Sequence, residues 1–252
     1  MKTYIVIPQY IITEEIKQLA INTIKSFRDN AEVTIISVDD ASPMNCDFLK
    51  ELSDVYIKND KNGGFAKTCN VGFNWIFENE EEDCYIVCAN NDIEINKKVI
   101  PELAIPFDEF ENVAITGIVS TKVRYIDGLP LEDFNWGAVS EGGLLRDRMQ
   151  DGGLWMSKKS ILENIGIFDE GFFQGYEDID IFLRARDTFG MKIVMSGRAA
   201  YWHKQGATRF NLGFDGRYSD AHENHNLDYF CEKWKFNPHI KQIWHEKILF
   251  NA

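Results

Sequence analysis

Val33-Thr34-Ile35-Ile36-Ser37-Val38-Asp39-Asp40-Ala41-Ser42-Pro43 carries a β-branched apolar run straight into two acids and a turn. A short apolar run bounded by turn residues reads as a strand buried on both faces, as in a parallel sheet. Upstream, Tyr4-Ile5-Val6-Ile7-Pro8 is a similar run stopped by proline, and Ile16 through Phe27 places apolar residues at helical spacing. The chain therefore opens strand, helix, strand, the start of an α/β sheet. Ligands of such sheets gather beyond the strand carboxyl ends, so Asp39 and Asp40 are placed to face one, although a plain Asx turn accounts for the same residues.

Working outward, Val55-Tyr56-Ile57 is a brief third strand, and Asn59-Asp60-Lys61-Asn62-Gly63-Gly64-Phe65-Ala66 is a glycine-centred loop entering a helix that runs through Ile76. Gly63 and Gly64 allow close backbone approach to a phosphate at a helix start. The acidic run Glu80 to Asp83 reads as a solvated helix end. Tyr85-Ile86-Val87-Cys88-Ala89 is the next buried strand and delivers Asn90-Asn91-Asp92, oxygen donors suited to a divalent cation, at its carboxyl end. Val113 to Tyr125 reads as a strand pair with a turn at Asp127-Gly128, and residues 126 to 150 as an aperiodic lid carrying Arg146 and Arg148. Gly152-Gly153-Leu154-Trp155-Met156 leads into a helix around Lys158 to Ile165, and Ile193-Val194-Met195 is a further strand.

The densest chemistry lies in Phe168-Asp169-Glu170-Gly171-Phe172-Phe173-Gln174-Gly175-Tyr176-Glu177-Asp178-Ile179-Asp180-Ile181-Phe182-Leu183-Arg184. Apolar Ile179, Ile181, Phe182 and Leu183 start a helix near Glu177, with three acids in its first turn, where the helix dipole favours carboxylates. Capping alone accounts for an arbitrary acid pair there; the remainder of the chain argues for more.

The 252 residues, 44% hydrophobic and 13% aromatic, suffice for one substantial core. A net charge of −13 disfavours nonspecific attraction to nucleic acid or an anionic membrane. The apolar run after Met1 is too short for a signal peptide, and no run approaches the roughly 20 residues of a membrane span, so a cytoplasmic protein is expected. Five scattered cysteines without zinc-type spacing argue against a disulfide framework, Cys84 and Cys88 being small buried thiols on one strand face.

Taken in order, Ile5-Val6-Ile7-Pro8-x-Tyr10, Val38-Asp39-Asp40-Ala41-Ser42, Asn62-Gly63-Gly64-Phe65-Ala66-x-x-x-Asn70-x-Gly72 and Asn90-Asn91-Asp92 resemble the donor half of family 2 glycosyltransferases. Gly152-Gly153-x-x-Met156, Gly166-x-Phe168-Asp169-Glu170, Glu177-Asp178-x-Asp180 and Arg184 resemble the acceptor half, particularly of rhamnosyltransferase-like and galactofuranosyltransferase-like members. His203-x-x-Gly206-x-Thr208 and Phe230-x-x-Lys233-Trp234 resemble the closing motifs, so the likeness spans roughly residues 3 to 235.

That resemblance implies a GT-A fold, a Rossmann-like mixed sheet flanked by helices, with residues 1–215 as the catalytic domain and 216–252 as a C-terminal extension packed on it. Within the domain, about 1–115 would form the donor half and about 116–215 the acceptor half. It implies an inverting transfer from a nucleoside-diphosphate sugar to an acceptor hydroxyl, of a surface glycan by expectation, assisted by Mn²⁺ or Mg²⁺. On that basis Asp178 is the expected base, assisted by Glu177; Trp155, Glu177 and Asp180 are expected on the acceptor; and Asp92 with His203 on the metal. Pro8, Tyr10, Asp39, Asp40, Asn62, Gly63, Gly64, Lys67, Asn91 and Asp92 are expected on the donor. Asn90 departs from the family pattern, standing where many members carry the first acid of the metal element. Competing readings are a sugar nucleotidyltransferase, disfavoured by Pro8-Gln9-Tyr10-Ile11-Ile12 in place of a glycine-rich loop; a noncatalytic nucleotide-sugar-binding module; and glycosylation of a modified nucleobase in phage-type DNA, against which the charge stands.

Overall fold

In the computed structural model the described residues are 1–126, 129–130, 146–147, 152–208 and 221–240. β1 (Thr3–Gln9), β2 (Thr34–Asp39), β3 (Val55–Lys58) and β4 (Tyr85–Ala89) pair in parallel in the order β3-β2-β1-β4, with α1 (Glu14–Asn30), α2 (Asp47–Leu52) and α3 (Phe65–Asn79) as their connections. Parallel neighbours need such crossovers, and the crossovers cover both sheet faces. β5 (Ile93–Glu94), α4 (Val99–Ala104), α5 (Pro106–Glu109) and β6 (Val113–Thr121) follow; then come β7 (Tyr125–Ile126), β8 (Leu129–Pro130), β9 (Arg146–Asp147) and β10 (Leu154–Lys158). The chain continues through α6 (Lys159–Ile165), α7 (Glu177–Leu183), a π-helical turn at Arg184–Thr188, β11 (Lys192–His203) and α8 (Ala221–Trp234). The sheet extends past β4 as β10-β6-β11-β5, with β10 antiparallel to both neighbours and β11 parallel to β6.

Strand alternation divides the core between two faces. Val6, Ile36, Val38, Cys88 and Trp155 lie under α3, α6 and α7, whereas Ile5, Ile7, Ile35, Val87, Leu154 and Met156 lie under α1 and α4. Each fully buried Leu, Ile or Phe in these layers contributes about 1.5–3 kcal/mol relative to exposure. The runs look continuously apolar because both faces are covered.

Several local expectations change. Val113 to Thr121 forms one nine-residue strand, β6, whose residues Val113 to Ile118 are all buried between β10 and β11, and Tyr125 opens the separate short strand β7, which pairs with β8 and not with β6. The strand around Ile193 runs twelve residues, to His203, and carries a register shift between Ser196 and Ala200 that absorbs its polar middle. Glu80 is not a solvated helix end: it is 7% exposed and accepts hydrogen bonds from Lys2 Nζ and Tyr4 Oη, both at 2.7 Å. Of the expected lid, Asp127-Gly128, residues 131–145 and Arg148 lie outside the described residues. α8 packs on the core through Phe230 and Asn226, both fully buried. Among the described residues no helix is long and apolar enough to cross a membrane.

Candidate active site

The carboxyl ends of β1, β2, β4 and β11 and the start of the reversed strand β10 meet at one edge of the sheet. There they enclose a cavity of about 780 Å³. Pro8, Gln9 and Tyr10 enter it from β1, Asp40 from β2, and Asn62, Gly64, Phe65 and Thr68 from the mouth of α3. Asn90, Asn91 and Asp92 follow β4, Gly152 and Gly153 precede β10, Glu177 and Asp178 open α7, and His203 ends β11.

Asp40 and Asp39 part company. The Asp40 carboxylate accepts from Gly63 N at 2.8 Å, Gly64 N at 3.0 Å and Asn59 Nδ2 at 2.9 Å. Asp39 is fully buried behind the cavity wall, accepting from Ser42 N and from Tyr56 Oη, both at 2.8 Å. Burial and that bond to Asp39 push the Tyr56 phenol far up, so it stays a donor. The amides of Gly63 and Gly64, expected to come close to a phosphate, are thus already held by a carboxylate, while Gly64 lines the cavity. The next amide, Phe65 N, donates to Phe173 O at 2.8 Å. Gly64 sits at φ +82°, where a Cβ would stand 2.2 Å from Phe173 O, so glycine is there to let two loops touch. Lys67 is exposed, with its alkyl stem against Gly63, and is off the cavity lining.

On the opposite wall, Asp92 (5% exposed) and His203 (5% exposed) meet at 3.1 Å between Oδ1 and Nε2. Asn90 Nδ2 lies 3.3 Å from the same imidazole nitrogen, and its buried Oδ1 has no hydrogen-bond partner among the described residues. Asn91 Nδ2 donates to Gln9 Oε1 at 3.1 Å. The neighbouring glycines explain how these groups come so close. A Cβ on Gly153 would stand 2.6 Å from His203 Cε1, and one on Gly152 would stand 2.6 Å from Asp178 Oδ2 and 2.8 Å from Asp178 Cβ.

The acids are launched by two successive left-handed residues, Gly175 at φ +96° and Tyr176 at φ +71°. Tyr176 is bulky for that conformation, which side chains other than glycine rarely adopt, and its hydroxyl lies 2.7 Å from His239 Nε2. Glu177 is 7% exposed and Asp178 half-buried on the cavity wall.

Two residues expected on the acceptor belong to the core instead. Trp155 is fully buried, its indole packed edge-on against Phe168 and Phe182 and tilted against Phe73. β10 alternation turns it away from the cavity edge. Asp180 is fully buried too, three residues beyond Glu177 and one helical turn inward; it takes Arg184 Nη2 at 2.7 Å, Lys233 Nζ at 2.7 Å and Trp234 Nε1 at 2.9 Å. Lys233 also bonds Asp169 at 2.6 Å, which brings the Asp169 carboxyl below its usual range although burial pulls the other way. These contacts tie α7 to α8.

The cavity also takes in residues to which the sequence assigned no role: Gln9, Phe173 through Tyr176, Gln205, Pro238 and His239. Pattern alone offered little for the last two, since they lie 54 or more residues beyond Arg184 in an aperiodic tail.

Comparison with known proteins fits this geometry. A low-salt glycan biosynthesis hexosyltransferase, Agl10, of Haloferax volcanii is 28% identical over 148 residues, 52% of this chain and 46% of that protein. Among solved structures, GalNAc-T7 with UDP, GalNAc and Mn²⁺ superposes with a TM-score of 0.60 at 14% identity, over 81% of this chain and 44% of the other. The mannosyltransferase PcManGT of Pyrobaculum calidifontis, in complex with GDP-Man and Mn²⁺, also gives 0.60, at 15% identity over 97% and 68% of the two chains. The chain thus spans about half the length of the first of these relatives, and the fold is GT-A. The family model for Glycosyl transferase family 2 matches residues 4–164, ending before the acid turn. Since that match covers well over half of the sequence, the chain belongs to glycosyl transferase family 2.

Proposed function

We propose that this chain transfers a sugar from a nucleoside-diphosphate sugar to an acceptor hydroxyl of a glycan, with inversion at the anomeric carbon. The observation that carries the reading is that Asp178 and the Asp92–His203 pair line one cavity, across the Gly152-Gly153 step. The name of the Haloferax volcanii relative, a glycan biosynthesis hexosyltransferase, supports a glycan acceptor.

In this reading Asp178 accepts the acceptor hydroxyl's proton as the new C–O bond forms, while the bond from the anomeric carbon to the diphosphate breaks on the opposite side. An ionised carboxylate within hydrogen-bond reach suffices. Glu177 orients hydroxyls beside it. On the donor side Pro8 and Tyr10 wall the nucleoside, and Asp40 and Asn91 offer hydrogen-bonding groups to base or ribose.

A divalent cation fits the Asp92 corner. Carboxylate, imidazole and Asn90 Oδ1, which has no hydrogen-bond partner among the described residues, form an O/N/O donor set there, although the described residues hold no group of three His, Cys, Asp or Glu. Mn²⁺ and Mg²⁺ commonly bind through one or two protein ligands plus substrate phosphates, so Asn90 in place of an acid lowers charge without removing a ligand. Bound there, the cation would neutralise the departing diphosphate.

The test is turnover of a nucleotide-sugar panel with Mn²⁺, with and without chelator, followed by NMR of the product's anomeric configuration. Asp178→Asn should keep nucleotide affinity while kcat falls about 10²- to 10⁴-fold. Near wild-type transfer by that variant would remove Asp178 as base, a retained configuration would remove inversion, and unchanged turnover in chelator would remove the metal.

A further inference from the structure

The turn that launches the acids is held from behind by a side chain of the C-terminal helix, and we propose that Asn226 is a positioning residue for Glu177 and Asp178. Asn226 is fully buried on α8. Its Oδ1 accepts from Phe173 N at 3.2 Å, and its Nδ2 donates to Gln174 O at 2.6 Å. One amide thus fixes two successive backbone groups of the segment, Phe173 to Tyr176, that leads into α7. The other backbone group of Phe173 is also committed, its carbonyl accepting from Phe65 N at the mouth of α3.

The segment needs this support. Gly175 and Tyr176 both sit at positive φ, and a tyrosine held there costs on the order of 1–3 kcal/mol that the surroundings must offset. Phe230, one helical turn after Asn226 on α8, packs its ring 5.5 Å from that of Tyr176, so the same helix face holds both ends of the turn. The path Asp40, Gly63-Gly64, Phe65, Phe173, Asn226 is continuous in hydrogen bonds and chain connectivity, and it crosses from the donor wall to the acid wall. Without the amide the acids would still open α7, but the segment leading to them would lose two of its backbone anchors.

The role rests on the proposed function for its kinetic arm only. Asn226→Ala removes both bonds; Asn226→Asp keeps the shape and the bond from Phe173 N but sets a carboxylate oxygen against Gln174 O, and serves where alanine fails to fold. Hydrogen exchange over residues 173–180 should rise at least tenfold in either variant, while the β1–β4 strands keep wild-type protection. Turnover of the nucleotide sugar that the wild type hydrolyses should fall about 10- to 100-fold, with UDP–Mn²⁺ and GDP–Mn²⁺ affinities within about twofold of wild type. Unchanged exchange in the segment, unchanged kcat, or a parallel loss of nucleotide affinity and melting temperature would each overturn the proposal. If the wild type hydrolyses no nucleotide sugar, the exchange data alone decide whether Asn226 anchors the turn, and the transferase reading stands or falls on its own product assay.

Discussion

Two adjacent glycines allow the Asp178 wall and the Asp92–His203 wall to be perturbed separately. In Gly152→Ala the new Cβ would stand 2.6 Å from Asp178 Oδ2 and 2.8 Å from Asp178 Cβ, whereas ordinary contact begins near 3.4 Å. Turning the carboxylate relieves only the first clash, because the Cβ is fixed to the backbone. The first turn of α7 must therefore withdraw by about half an ångström or more, and a misplacement near 1 Å at a reacting centre costs about 10²-fold. We expect kcat for donor turnover to fall roughly 10- to 100-fold, about 1.4–2.7 kcal/mol of barrier, with nucleotide affinity kept. In Gly153→Ala the Cβ would meet His203 Cε1 at 2.6 Å, His203 Nδ1 at 2.8 Å and Tyr201 Oη at 2.9 Å. Here the imidazole must leave its 3.1 Å contact with Asp92, and Mn²⁺-dependent nucleotide affinity should drop about 10- to 100-fold. Gly190→Ala is the control: at φ +63° with nothing within 4 Å, it adds about 1–2 kcal/mol of backbone strain far from either wall. Calorimetric titration with UDP or GDP in Mn²⁺, alongside steady-state turnover, separates the outcomes. Wild-type kcat in Gly152→Ala, or the same combined loss in both variants, would show that the two glycines do not separate the Asp178 and Asp92–His203 walls.

The remaining expectations concern residues the structure moves from function to framework, and one buried acid. Trp155→Ala should cost about 3–5 kcal/mol of stability through the cavity it leaves among Phe73, Phe168 and Phe182, read by denaturant unfolding; a stable variant impaired only in transfer would restore Trp155 to the acceptor site. Asp180→Ala leaves Arg184 and Lys233 facing a buried gap and should destabilise by about 3 kcal/mol, with Asp180→Asn milder; unchanged unfolding would show that the ties between α7 and α8 contribute nothing. Hydrogen bonds from Lys2 and then Tyr4 hold the Glu80 carboxyl at about 2, below its ordinary 4.5. A depressed folded value means stabilisation fully present above about pH 4.5 and lost as pH falls toward about 2; Glu80→Gln should flatten the acid limb of the melting curve in that window, and an unaltered limb would disprove it.

Much of this protein was legible in one dimension. The strands ending at Gln9, Asp39 and Ala89 were set by uninterrupted apolar runs, because a parallel sheet buried on both faces leaves that pattern and little else. Their carboxyl ends named Tyr10, Asp40, Asn91 and Asp92, and the acids at the start of α7 named Glu177 and Asp178, all of which line the cavity. Sequence could not decide among acids of identical type a residue or two apart. Asp39 against Asp40, and Asp178 against Asp180, are separated by strand alternation and helical rotation, which turn one carboxylate to the cavity and its neighbour into a buried turn or ion pair. Strand alternation also took Trp155 into the core, and the fold brought Asp40 onto the Gly63 and Gly64 amides, 23 and 24 residues along the chain. Contacts across 52 and 63 residues, Asn226 with Gln174 and His239 with Tyr176, depend on how α8 packs beneath the acid turn. No local pattern encodes such a pairing, because its cause is the shape left between layers once the sheet and its helices have closed.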